Sequence, residues 1–297
     1  MDAENTPSPP PAAPAATMAS PVLVLGATSL IGERLLERLN AEGLEPMALS
    51  RRPPSDDVCW IDGDLSDPNL ADELSPIATV LSLSPLWLLP QALPALKERG
   101  LTRLVAFSST SRFTKEASPE PAERAVAKAL ADAEAQVEAF CAAHSVAWTI
   151  LRPTLIYLEG QDGNVSRLAA LVRRFKVLPL SGEGAGLRQP VHAHDLAEAA
   201  IAAARSDAAR DRAYNLVGGE TITYRTMVER IYEGLRRRPA ILTLTPWLFS
   251  LLLRLAKPFY PGATAAMGDR MSQNLTFDDA DARRDFGWSP RDFHPTF

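Results

Sequence analysis

An apolar run that meets a glycine and resumes as an amphipathic helix leaves a chain few folds to choose from. Val22-Leu-Val-Leu-Gly-Ala-Thr-Ser-Leu-Ile-Gly32 is such a run. Val22 to Leu25 has strand character, Gly26 ends it, and Leu30, Ile31, Leu35, Leu36 and Leu39 then recur at helical spacing on one side. A strand, a tight turn and a helix follow. Free backbone N–H groups at a helix start, with the positive end of its dipole, suit the pyrophosphate of a dinucleotide. Gly26 permits the turn, and Gly32 lets the helix lie close on its strand. Ser29 stands where a third glycine would let a phosphate approach most closely; its Cβ narrows the site and its hydroxyl adds a donor. The expected nucleotide contacts here are Gly26, Ala27, Thr28, Ser29, Leu30, Ile31 and Gly32. An ordinary βα turn is the alternative reading of the same residues.

The chain has 297 residues, 46% of them hydrophobic and 23% charged, which is enough for one large or two modest domains with a well-buried core. A net charge of −5 with no concentrated basic tract argues against general nucleic-acid binding. Cys59 and Cys141 lack metal-ligand spacing and read as small buried apolar residues of a reducing, cytoplasmic compartment. The first 20 residues are rich in proline and alanine and have no apolar core, so they read as a disordered tail rather than a signal peptide. Met18 lies just before the first strand, and a start there would remove only that tail.

Strand and helix patterns alternate through about residue 155. Pro46 to Ser50 reads as the second strand and ends in Arg51-Arg52. An acidic residue at that place would grip the ribose hydroxyls of NAD, whereas arginine accommodates the 2′-phosphate of NADP, so Arg51 and Arg52 favour NADP(H) over NAD(H). A solvated pair of loop residues is the alternative. Val58 to Ile61 is a third strand, after which Asp64 and Leu65 could flank an adenine; a plain turn, with Ser66 or Asp67 opening the next helix, is the other reading. Val80 to Ser84 is a fourth strand stopped by Pro85, and Trp87 to Leu96 a short helix broken by Pro90 and Pro94. Leu104 to Phe107 is a fifth strand that delivers Ser108-Ser-Thr-Ser111. Ala122 to Ala143 is a long helix, and Ala147 to Leu151 a sixth strand ending in Arg152-Pro153. This alternation implies a Rossmann-type, doubly wound parallel sheet, with hydroxyls gathered at the strand ends where such sheets bind ligands.

Several stretches, in this order, carry a resemblance. They are Gly26-Ala-Thr-Ser-Leu-Ile-Gly32, Gly63-Asp-Leu65, Phe107-Ser-Ser-Thr110, Thr149-Ile-Leu-Arg-Pro-Thr-Leu-Ile-Tyr157, Pro190-Val-His-Ala-His-Asp-Leu-Ala197 and Phe277 to Pro290. From residue 21 onward the chain resembles the extended or atypical short-chain dehydrogenases/reductases, in particular the NAD-dependent epimerase/dehydratase family. The resemblance implies an NAD(P)-binding domain over 21–155 and a smaller substrate-side lobe over 156–297, from which the chain returns to the core near 189–216. It makes Thr110 the hydroxyl that polarises a substrate oxygen. With Leu83 and Ser84 at the end of the fourth strand and Arg152 and Pro153 after the sixth, the expected coenzyme contacts are complete. The family's main acid/base group is a tyrosine four residues before a lysine on the next helix. No tyrosine lies between the fifth and sixth strands here; counting back from Arg152 through Glu134 puts that pair at Val126 and Leu130, while Arg124 and Lys128 make only a degenerate version. Lys128 reads as a solvated helix residue. The implied function is an oxidoreductase or epimerase for a small or lipid-like carbonyl or alcohol, with a non-catalytic NADP(H)-binding sensor or structural subunit of a membrane-associated complex as the alternative.

The second half is looser. Asn164 to Phe175 reads as a helix and Ser181 to Gly186 as a mobile loop; Arg167, Arg173 and Arg188 read as a solvated face, or as partners for an anionic substrate. His192 and His194 have metal-like spacing but no accompanying ligands, and Asp195 is a sufficient cap for a helix over Leu196 to Ala204. The segment 240–260 is the most hydrophobic in the chain, but Pro246 and Arg254 make it poor material for a membrane span. It is a candidate for peripheral membrane contact or for gripping an apolar tail, with packing into the lobe or a homodimer contact as the alternatives.

Overall fold

The computed structural model describes residues 17–54, 59–256 and 265–297. Most of the expected tail therefore lies outside the described residues, as do Val58 of the expected third strand and residues 257–260 of the hydrophobic segment. Met18 lies inside them and is buried against the first core cluster, while the carbonyl of Ala19 accepts a 2.7 Å hydrogen bond from Thr79 Oγ1. The expectation of a tail through residue 20 therefore fails at Met18 and Ala19, which a start at Met18 would retain.

Strand β1 (Val22–Leu25) alternates its side chains between two layers: Val22 and Val24 pack on one face, Leu23 and Leu25 on the other. This is how a central parallel strand covered by helices on both sides must read. It is followed by α1 (Gly32–Ala41), β2 (Met47–Ser50), β3 (Cys59–Asp62), α2 (Leu70–Glu73) and β4 (Thr79–Ser82). The region expected to be an irregular connector is a short 3-10 turn, Leu86–Leu88, running into α3 (Leu89–Glu98), with Pro94 accommodated inside the helix. Then come β5 (Arg103–Phe107), α4 (Ser111–Thr114), α5 (Pro121–Ala143) and β6 (Ala147–Pro153).

The chain then leaves the sheet through β7 (Ile156–Tyr157), α6 (Val165–Phe175), β8 (Leu178–Ser181), β9 (Leu187–Arg188) and β10 (Val191–His192). It returns by α7 (Ala193–Arg205) and β11 (Arg212–Leu216). It leaves again through β12 (Ile222–Thr223), α8 (Tyr224–Gly234), β13 (Ile241–Leu244), α9 (Pro246–Ala256) and α10 (Ala265–Arg270), and ends with α11 (Ala280–Phe286). Seven strands form one parallel sheet in the order β11-β6-β5-β4-β1-β2-β3. Helices α1, α7 and α11 cover one face; α3 and α5 cover the other. This is the doubly wound Rossmann-type sheet. Its order reverses between β1 and β4, which opens a crevice at their carboxyl ends.

The lobe has its own core, with Tyr157, Val165, Met227, Ile231 and Phe293 in one cluster and Val172, Leu180, Val228, Tyr232 and Phe249 in another. The closing stretch does not stay there: Ala282 and Trp288 are buried in the sheet's own core, and Trp288 Nε1 donates to the carbonyl of Val217. Three local expectations fail. Cys59, expected to be buried, is exposed on the edge strand β3, whereas Cys141 is buried. Helix α7 begins at Ala193, three residues before the expected start, because His192 Nδ1 accepts from the His194 N–H and caps it; Asp195 instead accepts from Arg291, 96 residues further on. Neither Ser66 nor Asp67 opens a helix, since α2 starts only at Leu70.

Candidate coenzyme and substrate site

The crevice is shaped by two glycines. Gly26 has φ +72°, and a Cβ built there would lie 2.7 Å from the backbone nitrogen of Ser84 and 2.9 Å from the Leu83 carbonyl carbon. The β1–α1 turn therefore presses directly on the end of β4, which only glycine permits. A Cβ on Gly32 would lie 2.0 Å from the carbonyl oxygen of Ala27, so this glycine holds the helix start against the turn. Within the turn, Ser29 N–H donates to Gly26 and Gly32 N–H to Ser29. Thr28 is exposed, and Leu30 and Ile31 pack on the core with Ala27.

Two features of this corner fit a pyrophosphate. Ile31 occupies the cap position of α1 and offers no side-chain acceptor to its leading N–H groups. Ser29 Oγ is buried with no hydrogen-bond partner. Ser82 Oγ is also buried and unpartnered, but in register with Leu25 it belongs to the layer of α3 and α5, across the sheet from α1. Buried hydroxyls are ordinarily satisfied, and the orphan at Ser29 beside an uncapped helix start calls for an acceptor. A phosphate oxygen supplies one.

Arg51 and Arg52 are exposed just beyond β2. Arg51 Nε lies 3.8 Å from Asp64 Oδ2 while the rest of its side chain stays in solvent, and Arg52 N–H donates to Ser50 Oγ. Asp64 accepts from the backbone N–H and the hydroxyl of Ser66, which with Arg51 hold its carboxyl below the usual carboxylate range. Leu65 is buried in the core. The structure gives Arg152 a different task from the coenzyme contact expected of it. Its Nε and Nη2 donate to the buried Glu134, at 3.1 and 2.6 Å to the nearer oxygens, and Arg112 and the hydroxyl of Ser108 complete the same carboxylate. Phe113 has both guanidiniums over its ring, at 5.1 and 5.4 Å. Glu134 ties α5 to the ends of β5 and β6, and Arg152 is taken by it.

Glu134 entered the sequence reading only as a spacing mark. A signal was present: it interrupts the apolar stripe Leu130, Val137, Cys141 on α5, and a carboxylate on a buried face needs partners.

Beside these strand ends lies a cavity of about 1150 Å³. Ser109, Thr110, Ser111 and Thr154 line its inner wall; Ile156, Leu168, Leu171, Met227 and Phe249 line its sides. Thr110 is buried, and its Oγ1 donates to the Pro153 carbonyl at 3.1 Å. Pro153 is therefore what positions this hydroxyl. Val126 and Leu130, where the family's tyrosine and lysine would stand, pack instead into the core beneath α3. Lys128 is exposed and pairs with Asp132 at 2.5 Å, as expected of a solvated helix residue. Arg124 is also exposed, donating to the carbonyl of Ser118.

Arg188, expected on a solvated face, is buried in the cavity wall. It donates to the carbonyls of Leu187, Gln273 and Arg270, and lies 5.5 Å from the Tyr224 ring centroid. Burial pushes the Tyr224 hydroxyl up against the opposing pull of Arg188 and Arg270. Glu123 on α5 bridges to Arg270 on the far side, with Oε1 to Nη1 at 2.6 Å. Burial raises its carboxyl, but the Ser118 hydroxyl and Arg270 outweigh that and hold it below its ordinary value. His192 Nε2 meets Glu159 at 3.1 Å, and among the described residues no group of three or more metal-ligating side chains gathers there or elsewhere.

A model of the NAD-dependent epimerase/dehydratase family matches residues 91–217, which run from α3 through β5, Thr110 and β6 to the end of β11. Over that stretch the chain is similar to the family. The glycine corner lies outside the matched residues, and its assignment rests on the geometry above. Among solved structures, MoeE5 in complex with UDP-glucuronic acid and NAD is 25% identical, with a TM-score of 0.70 over 92% of this chain and 95% of that one. UDP-glucose 4-epimerase from Thermotoga maritima, with UDP-glucose, is 16% identical with a TM-score of 0.70 over 91% of this chain and 93% of its own, a likeness of fold. A subunit of mitochondrial NADH dehydrogenase (ubiquinone), alpha subcomplex subunit 9 of Arabidopsis thaliana, is 29% identical over 161 residues. That match covers 52% of this chain and 36% of the plant protein.

Proposed function

We propose that this chain is a member of the NAD-dependent epimerase/dehydratase family, binds NADP(H) at the glycine corner and acts as an oxidoreductase or epimerase on a small or lipid-like carbonyl or alcohol held in the adjoining cavity. The observation that carries the reading is the unpartnered buried hydroxyl of Ser29 at an uncapped helix start in the sheet's switch point. The NAD named in the MoeE5 complex supports a nicotinamide coenzyme here as well. Arg51 and Arg52 support the phosphorylated form, because an exposed guanidinium beside the adenosine end matches a 2′-phosphate bidentately.

The coenzyme would supply or accept hydride. Thr110 would orient the substrate oxygen: its lone pairs accept from an alcohol as the structure stands, and its O–H donates to a carbonyl once it leaves Pro153. With Val126 and Leu130 in place of the phenol and the ammonium, proton transfer falls to water admitted beside Ser109 and Ser111. NADPH oxidation across a panel of carbonyl substrates tests this, and Thr110→Ala should cut what activity is found by about 100-fold. A chain that binds NADPH yet turns over nothing would contradict the enzymatic half.

That outcome has its own reading, favoured by the apolar residues at those two positions and by the NADH dehydrogenase relative: a non-catalytic NADP(H)-holding subunit of a membrane-associated complex. Co-purification with such a complex would support it.

A further inference from the structure

Helix α9 is apolar around most of its circumference, yet only part of it is covered. Phe249 and Leu253 pack into the lobe. At about 100° per residue, Trp247, Leu248, Leu251, Leu252 and Leu255 fall on a contiguous arc of about 140° facing away from it. Trp247 is 69% exposed and Leu255 68%. Strand β13, which leads into α9, pairs with β8, and so sets Leu242 near Phe175 and Val177 at the end of α6; Phe175 is 54% exposed. Large apolar side chains exposed singly are ordinary, but a group of them drawn from three adjoining elements is not.

The charge around this patch is one-sided. The chain as a whole is at −5, but the two segments that build the patch, 164–182 and 234–256, hold eight Arg and Lys and no Asp or Glu. Arg237 ties them together by donating to the Val172 and Arg173 carbonyls at the end of α6. Arg236, Arg238 and Arg254 are exposed around the rim. Long cationic stems around aromatic and aliphatic side chains suit the boundary between acyl chains and anionic headgroups. A second copy of this acidic protein could pair the cations but would not explain where the cavity lies. Phe175, Val177 and Leu252 belong both to the exposed patch and to the cavity lining, so the cavity borders the patch.

We propose that the face made by α9, β13 and the end of α6 docks on a lipid bilayer bearing anionic headgroups, with the bordering cavity held beside the membrane. The apolar arc enters the headgroup and acyl boundary, and the rim arginines meet lipid phosphates. No helix among the described residues is long and apolar enough to cross a membrane, so the contact is with one surface.

The test is flotation of the full chain on phosphatidylcholine vesicles with and without phosphatidylglycerol. The chain should float with the anionic vesicles, stay behind with phosphatidylcholine alone, and be released by high salt. Trp247→Glu with Leu251→Glu should abolish flotation while leaving thermal stability and NADPH binding unchanged. Arg236→Gln with Arg238→Gln should weaken binding by about 30-fold. Failure of the wild type to float on anionic vesicles overturns the proposal. So does a wild-type dimer that Trp247→Glu turns into a monomer without any vesicle binding, because the face would then belong to a second copy. NADPH titration in the same samples reads the coenzyme site separately.

Discussion

The glycine corner and the wall of α5 stand on either side of one crevice, and they have kept different things. At the corner the backbone does the work: Gly26 and Gly32 allow contacts that any Cβ would forbid, and the donors left over point to an anion. On α5 the side chains would have to do the work, and there Val126 and Leu130 have joined the core while Glu134 holds strand ends together. Binding geometry set by backbone survives changes in side-chain identity; acid/base chemistry does not. A site can thus keep its coenzyme fit after losing its usual proton donor, and both readings of function grow from that division.

The comparison can be broken hardest at Gly32. Gly32→Val puts Cβ where the Ala27 carbonyl already is, and soluble, folded protein should be lost; a well-folded variant with unaltered NADPH affinity would show that the corner is not tightly built. Glu134→Ala strands the guanidiniums of Arg152 and Arg112 and should cost about 3 kcal/mol, read as a fall of about 8 °C in Tm, with NADPH affinity nearly unchanged. Should NADPH binding fall in step with stability, Arg152 belongs to the coenzyme site after all. Thr110→Ala should lower kcat by about 100-fold while leaving the coenzyme Kd alone, which separates the two sides directly.

The smallest effect is expected in acid. Glu123 titrates below its ordinary 4.5 because Ser118 and Arg270 outweigh burial. Its contribution is full above that ordinary value and is lost as pH falls from there through the lower folded-state value. Urea unfolding from neutral pH down through that range should show the loss, and Glu123→Gln should flatten it by about 1 kcal/mol.

How much of this was legible depended on how local each cause was. The sheet, its switch point and the glycine turn follow from apolar periodicity and from two residues without a Cβ, and these are written within a few positions of one another. Asp195 looked like a helix cap by the same local logic, yet His192 took that role because Arg291, far along the chain, had claimed the carboxylate. Arg188 sits on a short strand with no apolar frame. Its burial is decided by carbonyls at Arg270 and Gln273, and sequence spacing carries no trace of them. Met18 was hidden by composition: it follows a proline- and alanine-rich stretch but packs against the sheet. Arg152 matched a family pattern whose visible half is the motif, while its partner Glu134 lies 18 residues earlier on a helix.

The most direct measurement is a calorimetric titration of NADPH and NADH into the wild type and Arg51→Asp. NADPH should bind the wild type at least about ten-fold more tightly than NADH, and Arg51→Asp should remove most of that margin by weakening NADPH alone. Binding of neither nucleotide would contradict the account at its centre, and a wild type that prefers NADH would contradict the role given to the arginine pair.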